Sequence, residues 1–91
     1  MVRPRICRNI NFIPSVTYFK PRGVPMRNLD EVVLQKDELE ALRLKDLEGL
    51  DQSVCAEKMN ISQPTFHRLV VLARKKVSNA LINGMSIKIE A

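Results

Sequence analysis

The chain has 91 residues, enough for one domain with a modest core. It carries 15 Lys and Arg against 10 Asp and Glu, for a net charge of +5, with one His and two Cys. No apolar run approaches membrane-spanning length and the N-terminus lacks a signal peptide's apolar core, so a cytoplasmic protein with reduced cysteines is expected. Cys7 and Cys55 lie far apart and no other residues supply metal-ligand spacing. There is no glycine-rich phosphate loop, no nucleophile–His–acid set and no carboxylate pair in a cleft. An enzyme, a metal and a cofactor are therefore not expected.

The charge is unevenly placed. Residues 1–29 hold six basic residues and no acid, residues 30–57 nine acids against three bases, and residues 58–91 six bases against one acid. A basic head and a basic tail flanking an acidic middle suit a polyanionic partner.

In chain order, residues 1–34 form a basic arm, a loop and short strands. Val2-Arg3-Pro4-Arg5 reads as an arm in which Arg3 and Arg5 meet phosphates. Cys7, among arginines, is either a redox-sensitive thiol or a plain surface one. Ile10–Ile13 alternates weakly, as a strand would. Residues 14–25 are rich in Pro and contain Gly23, which argues against a regular element. Within them Tyr18, Phe19, Lys20 and Arg22 either clamp an RNA or acidic partner or anchor the loop on the core. Val32-Val33-Leu34 is a β-branched run and reads as a second short strand.

Residues 35–84 are helical. Lys36–Gly49 reads as an amphipathic helix with Leu39, Leu42 and Leu47 on its apolar face and Leu44 at the edge. Its early acids favour the positive end of the helix dipole, and Gly49 stops it. Asp37, Glu38 and Glu40 are expected on a solvated face, or on a surface that contacts RNA polymerase or another regulator.

The stretch from Asp51 to Leu69 carries the most information. Asp51 is the expected N-cap of a short helix, and Ala56 lies where a second helix must approach closely. Cys55, Met59, Ile61, Phe66 and Leu69 fall at the positions that close a core between the two. Asn60 stands where the turn needs a left-handed residue, a place usually held by Gly. Ser62 caps the second helix and Pro64 falls in its first turn, where a missing N–H costs little. This is the layout of a helix-turn-helix. It leaves Gln63, Thr65, His67 and Arg68 to read bases, with Lys58, Arg74 and Lys75 at phosphates and Lys76 beside them.

Phe66, Leu69, Val70, Ala73, Val77, Ala80 and Leu81 recur at spacings of three and four, so the second helix is expected to run to Asn83-Gly84. Val71 and Leu72 do not fit this stripe. They are open to a thymine methyl, the N-terminal segment or a dimer contact. In residues 85–91, Ser86–Glu90 alternates as a strand and is expected to pair with the two earlier ones. The fold expected is mostly α, in the α+β class: a three-helix core holding a helix-turn-helix with a long recognition helix, plus short strands near both termini.

The runs Tyr18–Pro25, Asp37–Leu44, Asp46–Leu50, Ala73–Val77 and Ala80–Gly84 resemble a family of small prokaryotic proteins of unknown function that is predicted to bind DNA. The helix-turn-helix half also resembles region 4 of bacterial primary sigma factors, which reads a promoter element. That resemblance puts Gln63, Pro64 and Arg68 at base-reading positions, although Pro64 has no side-chain hydrogen bond to give. Some members of the family are joined to a domain of the type that binds the iron–molybdenum cofactor of nitrogenase, and no such segment is expected within these 91 residues. The function expected is binding of double-stranded DNA in transcription regulation, with a homodimer as the usual assembly of such motifs.

Overall fold

The computed structural model describes residue 10 and residues 13–90. Arg3, Arg5 and Cys7 lie outside these, as do Asn11 and Phe12 of the first expected strand. Ile10 and Ile13 themselves belong to no strand.

Three helices and a three-stranded sheet form the fold: β1 (Tyr18–Phe19), β2 (Glu31–Leu34), α1 (Lys36–Leu42), α2 (Gln52–Met59), α3 (Gln63–Asn83) and β3 (Ser86–Ile89). A 3-10 turn at Met26–Asn28 precedes β2, and a π-helical segment, Arg43–Leu47, continues α1. β3 is the central strand. It runs antiparallel to β1, with Tyr18 opposite Lys88, and parallel to β2, with Val32 opposite Ile87. A parallel pair needs a long crossover, and the whole helical region supplies it.

The first strand of the sheet is Tyr18–Phe19 rather than Ile10–Ile13. The prolines that argued against an element at 14–25 stand outside this pair, at 14, 21 and 25, so they remove no N–H that the two-residue ladder needs. Tyr18 also donates its hydroxyl to Ser86 Oγ at 3.1 Å, and Ser86 Oγ donates to Asp30 O at 3.3 Å. These bonds satisfy a fully buried Ser86.

Two apolar clusters meet along α3. One joins Ala41, Leu44, Cys55, Ala56, Met59, Phe66 and Val70, with Ile61 and Leu69 partly buried against it. The other joins Leu34, Ala73 and Ile89, with Leu39, Leu42, Val77 and Ile87 at its margin. The expected stripe on α3 therefore packs as far as Ala80. Leu81 is an exception, 73% exposed, because the small sheet does not reach around that side of the helix.

The acidic helix departs most from expectation. Asp37, Glu38 and Glu40 are buried, and Leu47 is 80% exposed. The Glu48 N–H bonds Arg43 O at 2.9 Å, five residues back. That extra residue in the turn delays the rotation of everything after it, so Leu44 turns fully into the core and Leu47 turns out. The buried carboxylates have partners. Glu38 Oε1 accepts from Gln35 N at 2.7 Å, the return half of a capping box, and from Lys76 Nζ at 2.9 Å. Lys76 Nζ also donates to Val33 O at 2.9 Å. Glu40 receives two parallel bonds from Arg43, at 2.8 and 2.9 Å, and Arg43 reaches Glu48 as well. These acids hold α1 to its neighbours and do not form a solvated face.

Removing one partner of a buried ion pair strands the other charge. Lys76→Met and Glu38→Gln should each lower unfolding stability by about 1–3 kcal/mol. The double variant should lose less than the sum of the two, by about 1 kcal/mol or more, in a urea-denaturation cycle.

Candidate nucleic-acid interface

The junction between α2 and α3 is closed by backbone chemistry that its sequence supports. Asn60 sits at φ 58°, ψ 46°, in the left-handed region, and its N–H bonds back to Ala56 O and Glu57 O. The Ile61 N–H also returns to Ala56 O, at 3.0 Å. Both bonds satisfy carbonyls that the end of α2 leaves open. Asn60 is the sole non-glycine residue with positive φ among the described residues. Ser62 then takes an extended conformation, and its Oγ accepts from Thr65 N at 3.3 Å. Pro64 lies in the first turn of α3, where no intrahelical bond is lost. At the other end of α2, Asp51 has the extended N-cap backbone, but its side chain makes no cap bond. Its carbonyl accepts from Cys55 N at 2.9 Å instead.

The expected core of the motif is assembled. Cys55, Ala56, Met59 and Phe66 are buried at 0–2% exposure, and Ile61 and Leu69 close its rim. Burial pushes the Cys55 thiol up from its ordinary pKa, and its Sγ lies 3.6 Å from Leu50 O. A protonated, enclosed thiol of this kind is packing material.

With Phe66 and Val70 turned inward, the helical period turns Pro64, His67, Arg68, Val71 and Lys75 to the opposite side. All five are exposed, and Gln63 is exposed at the edge of the same face. Gln52 Nε2 donates to Gln63 O at 3.4 Å and so links the first turns of the two helices. Thr65 is half-buried and its hydroxyl is already engaged, 2.8 Å from Ser62 Oγ and 3.4 Å from Arg68 Nη2. It positions the guanidinium of Arg68 and does not present a free hydroxyl of its own.

The basic residues divide into two groups. Lys58, at the end of α2, and Lys75 are exposed beside the outer face of α3. Arg74 is exposed but paired: its Nε and Nη2 reach the two oxygens of Asp46 at 3.0 and 2.6 Å. Lys76 is occupied by Glu38 and Val33 and is not placed with them. No local pattern reveals these two partnerships, because Asp46 and Glu38 lie 28 and 38 residues away in sequence. The Tyr18–Arg22 group is likewise turned to internal use. Tyr18 bonds Ser86, and Lys20 Nζ donates to Val24 O at 2.8 Å and Pro21 O at 3.3 Å.

Among the described residues no group of three or more His, Cys, Asp and Glu is gathered as a metal would need. No helix among them is long and apolar enough to cross a membrane.

With this geometry the chain can be compared with known proteins. The match to a family model extends over residues 1–91. The chain belongs to DUF134, a protein family of unknown function. It is 58% identical over 90 residues to UPF0251 proteins of Moorella thermoacetica and Desulforudis audaxviator, covering 99% of this chain and 60% and 59% of theirs. A UPF0251 protein of Thermoanaerobacter pseudethanolicus is also 58% identical, with 76% of its length covered. The chain thus spans about three fifths of the first two relatives. No solved structure gives a significant match.

Two measurements test the junction. Asn60→Gly should leave stability unchanged or raise it slightly, whereas Asn60→Val should lower it by about 1–2 kcal/mol in chemical denaturation, since a β-branched residue resists the left-handed conformation. The hydrogen bond from Arg74 holds the Asp46 carboxyl below its ordinary value of 3.8. The pair's contribution is therefore complete above that ordinary value and lost as pH falls through the lowered one. A carboxyl titration followed by NMR should show a depressed Asp46 midpoint that returns to the ordinary range in Arg74→Gln.

Proposed function

We propose that this member of DUF134 binds double-stranded DNA and regulates transcription, reading the major groove with the first half of α3. The observation that carries the proposal is the exposed face of Gln63, Pro64, His67 and Arg68 at the N-terminal end of a helix set by a left-handed turn against α2. A recognition helix needs this arrangement: its inner side fixed by a second helix and its leading turns free for base edges. Arg68 offers two parallel donors that suit guanine O6 and N7, and Gln63 offers an amide that suits adenine. Lys58 and Lys75 flank that face as phosphate contacts, and Arg3 and Arg5 belong to the basic N-terminal segment proposed to join them. The layout's resemblance to region 4 of sigma factors supports the same mode of docking. Pro64 at a reading position implies a different target sequence.

The acidic helix offers little for a competing reading as a regulator- or polymerase-binding face, because Asp37, Glu38 and Glu40 are buried. An RNA clamp around Tyr18 would have to release the bonds that Tyr18 and Lys20 make within the fold.

Selection of bound duplexes from a random pool should return a defined site, and a palindromic one would add the homodimer to the account. Arg68→Ala should cost about 1–3 kcal/mol and relax preference at one base pair, while Lys75→Ala should weaken all sequences alike and flatten the salt dependence by about one unit of slope. An absence of duplex binding at low salt would overturn the proposal.

A further inference from the structure

We propose that Val71 is a specificity-determining residue of this interface and that it reads the methyl group of a thymine; the inference rests on the duplex-binding reading above. Val71 is 46% exposed on a helix whose inner stripe is fully occupied. It follows Pro64, His67 and Arg68 at offsets of seven, four and three residues, so the four share one stripe along α3. Homeodomain reading helices contact bases from four positions with the same relative spacing. Measured from Gln63, Val71 lies about 12 Å along the helix axis, just over two turns in and within the length that a major groove accommodates. Lys75 follows on the same stripe, one turn further, where a groove's edge would present phosphate.

The chemistry of the position narrows what it reads. The sites around it are polar or basic, yet Val71 is a branched hydrocarbon with no donor or acceptor. The major groove offers one hydrocarbon group, the C5-methyl of thymine. A valine turned to base edges therefore gains by covering that methyl and would strand the amino or carbonyl groups of other bases without a partner. Leu72 has the same 46% exposure but lies a residue further round the helix, off the stripe. It makes an internal control of equal size and exposure.

The test uses the full chain and the duplex selected from a random pool. Each thymine of that duplex is replaced in turn by deoxyuridine, which removes only the methyl. At one thymine per reading helix the replacement should weaken binding about three- to fivefold, the worth of one buried methyl. Val71→Ala should bind the thymine duplex weaker by a similar factor and should no longer distinguish thymine from deoxyuridine at that position. Val71→Ile should keep the distinction, and Leu72→Ala should leave it unchanged. Both exposed sites tolerate alanine in a helix, so folding is not at stake. Binding that is sequence-specific but indifferent to every deoxyuridine replacement, or a methyl effect that survives in Val71→Ala, would overturn the assignment of Val71 and leave the duplex-binding reading intact. Failure to retain any duplex would overturn both.

Discussion

The ammonium group of Lys76 is the fixed point of this molecule. It bonds the carbonyl of Val33 at the end of the sheet and the carboxylate of Glu38 in the first turn of α1, so one side chain of α3 ties three elements together. Arg74 holds the other side of α3 through Asp46, in the segment that continues α1. Each bond alone is modest, and the exposed Arg74 pair is worth at most about 1 kcal/mol. Their value is geometric. Two grips on opposite flanks of one helix fix its rotation, and the apolar stripe from Phe66 to Ala80 fixes the same rotation from beneath. The outward direction of Pro64, His67, Arg68 and Val71 follows from those three constraints.

That rotation gives the uneven charge a structural meaning. The acidic segment is largely consumed inside the fold, where Glu38 and Glu40 answer Lys76 and Arg43. Lys58, Lys75 and Arg68 remain exposed beside the reading face. A net positive charge that looks diffuse along the chain is thus concentrated where a phosphate backbone would lie. The buried acids also keep negative charge from the duplex side, so the same residues that secure α1 favour the approach of a polyanion.

Local chemistry was legible in the sequence and distant pairing was not. The turn at Asn60, the cap at Ser62, the stop at Gly84 and the inner stripe of α3 each depend on residues within a few positions of one another, and each is found as expected. The sheet was legible at Val32–Leu34 and Ser86–Ile89, where β-branched or alternating runs are explicit. It was hidden at Tyr18–Phe19, where two residues between prolines give too short a pattern to register. The acidic helix misled for a different reason. A carboxylate in an amphipathic pattern looks solvent-facing until a cation 38 residues away is known to reach it, and one wide turn at Arg43–Leu47 exchanges the roles of Leu44 and Leu47. At the candidate interface the exposed positions were legible from the helical period. The engagement of Thr65 by Ser62 and Arg68, and of Arg74 by Asp46, needed the fold.

The central claim is that the leading half of α3, held in this rotation, is the surface that meets duplex DNA. Backbone amide shifts followed by NMR during titration with a short duplex at low salt test it most directly. The account predicts that the largest changes fall between Ser62 and Lys75, strongest at Gln63, His67, Arg68 and Val71, with α1 and the exposed Leu81–Ile82 end of α3 nearly silent. Changes centred on α1 or on Leu81 and Ile82, with Gln63 to Val71 unmoved, would contradict it.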